Sequence, residues 1–363
     1  MESAAEKLQL PYRRIDVHHH FFPPAYKAEA ARRGITEEAG VRIPGWTVGS
    51  SLGVMDANGI ETAVLSLSAP GVYFGHKGEA IALARLCNEY GAQLCRGHPF
   101  RFGFFAVLPM PFTQAACSEV EFALDVLGAD GVVLLGSVEG IFLGDPRYDE
   151  LMSELNRRRA VVLVHPNLHP SSHALDLVAP DFLLKLPCDT SRAALNLVLR
   201  GVTEQYPDIR WILSHGGGFL PYIGWRGSLV NAMPRLQDAM PLGFLTYLRR
   251  FYFDTALSTS PISMAALREL VEPDRTLFGS DFPYAPAVAT TLQVQTLKQS
   301  PVWDQPVRHG IDRVHALRLF PRFSGQDEPL EGGPIHQSET LHTTARRHAT
   351  RSFAASKEHL RYG

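Results

Sequence analysis

The run Ile15-Asp16-Val17-His18-His19-His20-Phe21-Phe22-Pro23-Pro24 decides how the rest of the chain is read. Residues 14–17 read as a buried strand, because β-branched residues lead into a polar cluster and the proline pair beyond it cannot continue a ladder. Alternate side chains of a strand share a face, so His18 and His20 point one way and His19 the other. That spacing offers a pair of metal ligands. Taken alone, the three histidines read equally well as a solvated turn, so the decision rests on what lies downstream.

Downstream, short apolar runs alternate with helical segments, the signature of parallel α/β architecture. The runs fall at 62–66, 102–108, 131–135, 160–165, 210–215, 251–255 and 276–281, making eight strands with the first. Helices are expected at 79–94, 113–127, 147–157, 193–206, 220–236, 262–271 and 287–298, most with apolar residues three and four apart. Asp145-Pro146 suits an N-cap followed by proline at the first helical position, and Tyr206-Pro207 suits a stop. Eight such units match a (β/α)8 TIM barrel better than an open doubly wound sheet. The latter would usually carry a Gly-rich phosphate turn where this chain has histidines.

Two stretches, 24–58 with Trp46 and 169–192 rich in Pro, Ser and His, read as insertions into barrel loops. Residues 1–323 form the expected catalytic domain. Residues 324–363, with Gly332-Gly333-Pro334 and few large apolar side chains, are expected to form a flexible tail without a catalytic role.

At 45% hydrophobic and 20% charged, the 363 residues have an ordinary globular composition. A net charge of -2 gives no footprint for nucleic acid or an anionic membrane. No apolar run approaches the ~20 residues that span a bilayer, and residues 1–10 lack the apolar core of a secretion signal. The cytosol is the expected location. Cys87, Cys95, Cys117 and Cys188 form no C-x-x-C pair and read as reduced thiols, with Cys188 in a loop after Pro187.

In a barrel, the polar residues at strand ends carry the chemistry. The fifth strand ends Val164-His165-Pro166, the sixth Ser214-His215-Gly216-Gly217-Gly218, and the eighth Gly279-Ser280-Asp281-Phe282-Pro283. A single histidine in such a place is usually structural. Five groups on one face, His18, His20, His165, His215 and Asp281, are not readily a coincidence. Three imidazoles plus a carboxylate suit Zn²⁺, with Mn²⁺ or Fe²⁺ as alternatives, and leave a position for water or substrate. Residues 131–137 contain no lysine that could be carbamylated to bridge two metals, so one divalent ion is expected. There is no G-x-S-x-G elbow, H-E-x-x-H, Walker A segment or dinucleotide fingerprint.

Asp16-Val17-His18-His19-His20, Val164-His165-Pro166, His215-Gly216-Gly217-Gly218 with Pro221-Tyr222, and Gly279-Ser280-Asp281-Phe282-Pro283 resemble the motifs of the amidohydrolase-related decarboxylases. The branch is that of aminocarboxymuconate-semialdehyde decarboxylase, and the His-His-His-Phe-Phe-Pro-Pro opening most resembles its fungal 6-methylsalicylate decarboxylases. The resemblance spans residues 14–323 and departs from the family at His315, where an asparagine is usual. It implies an amidohydrolase-type barrel with His18, His20, His165 and Asp281 as metal ligands and His215 as a nearby imidazole outside the ligand set. It further implies that Arg42 holds a substrate carboxylate and that Arg226 reaches a neighbouring subunit's pocket.

The activity so implied is non-oxidative decarboxylation of a small hydroxylated aromatic acid, such as 6-methylsalicylate to 3-methylphenol, in secondary metabolism. The metal would orient the substrate as a Lewis acid, and Asp281 or His215 would protonate the ring carbon bearing the carboxylate. Phe21, Phe22, Trp46, Phe282 and Tyr284 are expected to wall the ring. The same ligands would also serve a hydrolase of a small lactone or amide. A scaffold protein fits less well, because the ligand set is open. If Arg226 leaves the barrel mouth along a helix, it serves a substrate only across a two-fold homodimer.

Overall fold

Strand β1 (Arg14–His20) is buried along its whole length, and the histidines belong to the strand itself rather than to a turn after it. The computed structural model describes residues 13–174 and 177–324. Beyond β1 come a two-residue pair, β2 (Glu37–Glu38) and β3 (Val41–Arg42), and then β4 (Ile60–Ser66), β5 (Phe102–Val107) and β6 (Gly131–Leu135). A second small pair, β7 (Ser137–Val138) and β8 (Ile141–Phe142), precedes β9 (Val161–His165), β10 (Arg210–Leu213), β11 (Tyr252–Asp254) and β12 (Thr276–Leu277). Eight of these form one parallel sheet in the order β1-β4-β5-β6-β9-β10-β11-β12. All eight expected strands are present.

The sheet curls back on itself. The Val17 N–H donates to Phe278 O at 3.0 Å, His20 N–H to Phe282 O at 2.7 Å and Asp281 N–H to His18 O at 2.8 Å, joining β1 to the segment after β12. Strands covered on both faces are apolar without alternation, as in the fully buried Val161-Val162-Leu163-Val164-His165 of β9. Helices wrap the outside, among them Lys77–Gly97, Thr113–Glu121, Asp149–Arg157, Leu220–Ser228, Pro261–Leu270 and Ala287–Gln299. The Asp145 carboxylate caps Arg147 N–H ahead of Pro146, as its sequence suggests.

The two insertions are structured. Residues 24–58 supply the helix Pro24–Arg32, the β2-β3 hairpin and the helix Val48–Ala57, whose capping box pairs Thr47 with Ser50. The helix expected at 193–206 begins twelve residues earlier, spanning Asp181–Leu199, and Pro187 lies inside it. Proline there removes one backbone donor; separately, the Ser191 hydroxyl donates to Pro187 O at 2.8 Å. Cys188 is therefore helical and not in a loop. His315 is buried, donating from Nδ1 to Thr276 O at 2.9 Å, and its ring fills the space a Cβ on Gly310 would need. Among the described residues no helix is long and apolar enough to cross a membrane. Beyond Ser324, the tail lies outside the described residues.

Candidate metal centre and active site

Three imidazoles meet at the C-terminal mouth of the barrel, each fastened through its Nδ1. His18 Nδ1 donates to Asp254 Oδ2 at 2.7 Å, and His165 Nδ1 to Pro166 O at 2.9 Å. His20 Nδ1 faces the carbonyl oxygen of Ser66 at 3.2 Å and its hydroxyl at 3.1 Å. The Nε2 atoms are thereby left for the centre. His18 Nε2 and His20 Nε2 lie 3.1 Å apart, and Asp281 Oδ1 is 3.1 Å from His20 Nε2 and 3.3 Å from His18 Nε2. Ligand atoms of His18, His20, His165 and Asp281 all fall within 4.8 Å of one another.

His19 faces the other way, as strand alternation requires. Its Nδ1 donates to Asp16 Oδ2 at 3.0 Å, while Nε2 meets Ser51 Oγ at 2.8 Å, and Ser51 Oγ also accepts from Trp46 Nε1 at 2.8 Å. Asp16 further accepts from Ser280 N–H at 3.0 Å and Ser280 Oγ at 2.6 Å, tying β1 to the segment that carries Asp281.

Asp281 and His215 both adopt positive φ, 61° and 55°, a conformation uncommon for residues with a Cβ and typical of positions held by their surroundings. For His215 the hold is Asp254, whose Oδ1 accepts the His215 N–H at 2.9 Å while Oδ2 fixes His18. His215 Nε2 lies 3.5 Å from Asp281 Oδ2, so the two oxygens of Asp281 face different partners. Among the described residues, His215 Nδ1 is buried without a hydrogen-bond partner. Gly216, Gly217 and Gly218 continue with φ of 62°, 76° and 64°, and a Cβ on Gly218 would stand 2.3 Å from Pro187 O. The sequence reading overlooked Asp254 and gave Asp16 no role. Asp254 had a signal: it ends the apolar run Phe251-Tyr252-Phe253 just as His165 ends its own strand.

Burial disfavours charge on His18, yet Asp254 and then Asp281 outweigh it and lift its pKa to about 10. Burial lowers His20, and burial with the neighbouring imidazoles holds His165 well below its ordinary value. For Asp281, burial pushes upward, but hydrogen bonds from His18, His20 and His215 hold the carboxyl well below the usual range. Carboxylates at Asp16, Asp254 and Asp281 are thus buried among imidazoles. Once a cation displaces their protons, the inward Nε2 atoms with a carboxylate oxygen are the donor set a divalent cation takes, and the outward hydrogen bonds are the support such ligands usually have. The residues fit the ion that the sequence implies.

Above this floor lies a cavity of about 410 Å³, largely apolar. His165, His215 and Asp281 line it, with Ser68, Tyr284, Leu257, Ser258, the β2-β3 residues Glu38, Ala39 and Val41, and Phe182, Leu183, Leu186 and Pro187 of the helix Asp181–Leu199. Of the expected aromatic wall only Tyr284 faces it. Phe22 backs Tyr284 with ring centroids 5.7 Å apart, Phe282 packs on His19, and Phe21 and Trp46 pack on each other in the core.

Trp46 therefore supports the floor through Ser51 without reaching the cavity. Arg42 is exposed: it pairs with Glu37, while Val41 and Glu38 take the cavity side of the hairpin. Arg226 is exposed on the helix Leu220–Ser228 and likewise does not line the cavity. The structure thus brings together five of the expected site residues, His18, His20, His165, His215 and Asp281, and leaves Arg42, Trp46 and Arg226 outside.

Residues 15–319 match the amidohydrolase family. Decarboxylase yanB of Aspergillus niger is 40% identical over 324 residues, which is 85% of this chain and 88% of that protein. The 6-methylsalicylic acid decarboxylase of Penicillium expansum is 36% identical over 317 residues, covering 86% of this chain and 97% of that protein. The crystal structure of 2,6-dihydroxybenzoate decarboxylase complexed with 2,6-dihydroxybenzoate aligns with a TM-score of 0.73 at 25% identity, covering 85% of this chain and 99% of that one. The chain belongs to the amidohydrolase family, in a branch of carboxy-lyases.

Proposed function

We propose that the enzyme removes CO₂ without oxidation from a small hydroxylated aromatic acid, with 6-methylsalicylate to 3-methylphenol as the reference case. The observation that carries this reading is the division of Asp281: Oδ1 faces His18 and His20, Oδ2 faces His215, and both sit under an apolar cavity of about 410 Å³. His18, His20, His165 and Asp281 would hold one divalent ion, Zn²⁺ or Mn²⁺. When bound it supplies Lewis-acid polarisation of the substrate carboxylate and the oxygen ortho to it.

The proton is handled by the chain. His215 Nε2 or Asp281 Oδ2, which lie 3.5 Å apart, delivers it to the ring carbon bearing the carboxylate. The bond to the carboxylate carbon then breaks, its electron pair restores the aromatic ring, and CO₂ leaves. Apolar walls from Leu183, Leu186, Pro187 and Leu257 keep water from the dearomatised ring. The test is headspace CO₂ and 3-methylphenol from 6-methylsalicylate with purified, metal-loaded protein. Cleavage of a lactone or amide, with no CO₂ from any hydroxybenzoate, would replace this reading with the hydrolase. Elemental analysis of the active protein decides between Zn²⁺ and Mn²⁺.

We also propose a two-fold homodimer in which Arg226 serves the partner's pocket. Arg226 shares its helix with Tyr222 and Trp225, which are 88% and 74% exposed, and Leu229 just beyond the helix is 48% exposed. An apolar patch of that kind marks an interface. Arg226→Ala and Asp281→Asn should each be nearly inactive alone, and subunit exchange between them should restore part of the activity, because one pocket of each mixed dimer is then complete. No recovery despite demonstrated exchange means that Arg226 acts within its own chain or only in folding.

A further inference from the structure

Among the described residues, one carboxyl group in the cavity wall has no hydrogen-bond or ion-pair partner. Asp281 is engaged by three imidazoles, and Asp181, at the start of the helix Asp181–Leu199, is bonded to Lys185 at 2.6 Å. The Glu38 carboxyl lines the same cavity and, among the described residues, makes no hydrogen bond or ion pair. Ala39, Val41, Phe182 and Leu183 line the cavity with it, and Asp181 is near enough to act on its charge. An unpaired carboxyl among apolar groups is costly to retain unless a ligand completes it.

The position is built into the fold. Glu38 and Val41 are opposed in the antiparallel pair, so both take the cavity side while Glu37 and Arg42 take the other. Ala39 O accepts the Phe182 N–H at 3.1 Å, and Ile43 N–H donates to Thr36 O at 2.9 Å, which seats the hairpin on the helix. Glu38 and Tyr284 line the cavity together with the floor residues His165, His215 and Asp281. The Tyr284 ring meets the His20 ring edge-on at 5.7 Å, and its phenol is raised by burial and then by the charge of Glu38. A benzoate held by its carboxylate at the floor would turn its far edge toward the cavity wall, to which Glu38 belongs.

We propose that Glu38 is a specificity-determining residue that hydrogen-bonds a hydroxyl on the ring edge opposite the reacting carboxylate. The preferred substrates are then benzoates with a second, remote hydroxyl in addition to the ortho one. This rests on the decarboxylase reading above. Burial and the nearby Asp181 push Glu38 up to about 7, so near neutral pH it both donates and accepts. A site built to bind a hydroxyl rejects the analogue that lacks it far more strongly than an apolar pocket rejects an added one.

The test compares 2-hydroxy-6-methylbenzoate with 2,4-dihydroxy-6-methylbenzoate on the metal-loaded wild type and on Glu38→Gln and Glu38→Leu. The wild type should prefer the dihydroxy acid by roughly tenfold or more in kcat/KM, chiefly through KM. Glu38→Gln should keep part of that preference, and Glu38→Leu should abolish or reverse it by improving KM for the monohydroxy acid. Loss of both activities in equal proportion, or a wild type that does not discriminate, overturns the inference. Calorimetric titration with 3-methylphenol and 5-methylbenzene-1,3-diol separates it from the reaction itself. If neither acid releases CO₂ but the diol binds more tightly only when Glu38 is present, the reaction assignment falls and Glu38 stands. If CO₂ is released and the diol binds no more tightly than the monophenol, Glu38 alone falls.

Discussion

The floor of the cavity and its outer wall are built on opposite principles. On the floor, His18, His20, His165 and Asp281 each have named partners, and the carboxylates of Asp16 and Asp254 hold them from behind. The outer wall comes from the insertions, the β2-β3 hairpin and the first half of the helix Asp181–Leu199, and it is largely apolar with one carboxyl, Glu38, that has no partner among the described residues. A floor whose metal-facing side chains are held from behind by hydrogen bonds fixes one geometry, which suits chemistry. A wall of apolar contacts with one polar group selects shape and a single hydrogen bond, which suits choice of substrate. Changes to the floor should therefore remove activity, and changes to the wall should redirect it.

The harshest challenge to that division is removal of a floor donor. His18→Ala, His165→Ala and Asp281→Ala should each lose the metal and lower turnover by roughly a thousandfold or more, since a Lewis acid supplies several kcal/mol. A His165→Ala protein that retains full metal by elemental analysis breaks the assignment. Next comes His215→Ala, expected to keep its metal while kcat falls by roughly 10² to 10⁴, the usual range for a lost acid or base. Metal lost in step with activity would make His215 a ligand.

Asp254→Asn should act through His18 and His215 together, weakening metal affinity by about 10- to 100-fold as the loss of a supporting hydrogen bond does elsewhere. Competition with a chelator measures it. His19→Ala should leave metal content near that of the wild type and instead lower thermal stability, by about 1–3 kcal/mol, because Asp16 and Ser51 lose a buried partner. The smallest effect lies beyond the wall, at Asp189. Burial raises this carboxyl to about 6, against bonds from Asn167 N–H and Ser137 Oγ. The folded protein therefore keeps a proton that the unfolded chain has released, so this contribution to stability is present below about pH 4 and lost as pH rises through 6. Denaturation midpoints across that window should show a decline that Asp189→Asn reduces.

The floor was far more legible in the sequence than the wall, for a physical reason. Barrel strands are continuous apolar runs, and a polar residue where such a run stops stands out, as His165 and Asp281 do. Asp254 obeys the same rule, but its role depends on how closely β1 approaches β11, which spacing along the chain does not contain. The wall had no periodicity to reveal it. Glu38 and Val41 lie in two-residue strands, and the alternation that turns Arg42 outward exists only once the hairpin register is fixed. Pro187 disguised the first half of a helix as a loop, because local propensity disfavours what packing against the barrel mouth stabilises.

The glycines after His215 join the two regions. Gly218 leaves room for Pro187 O, and Phe219 N–H donates to Ser191 Oγ at 2.8 Å, so the helix that roofs the cavity rests directly on the loop that presents the imidazole. Roof height and imidazole position are consequently one mechanical variable. An engineer who enlarges the cavity by lifting that helix also retracts the proton donor, whereas trimming side chains at Leu183 or Leu186 enlarges it with the loop left in place.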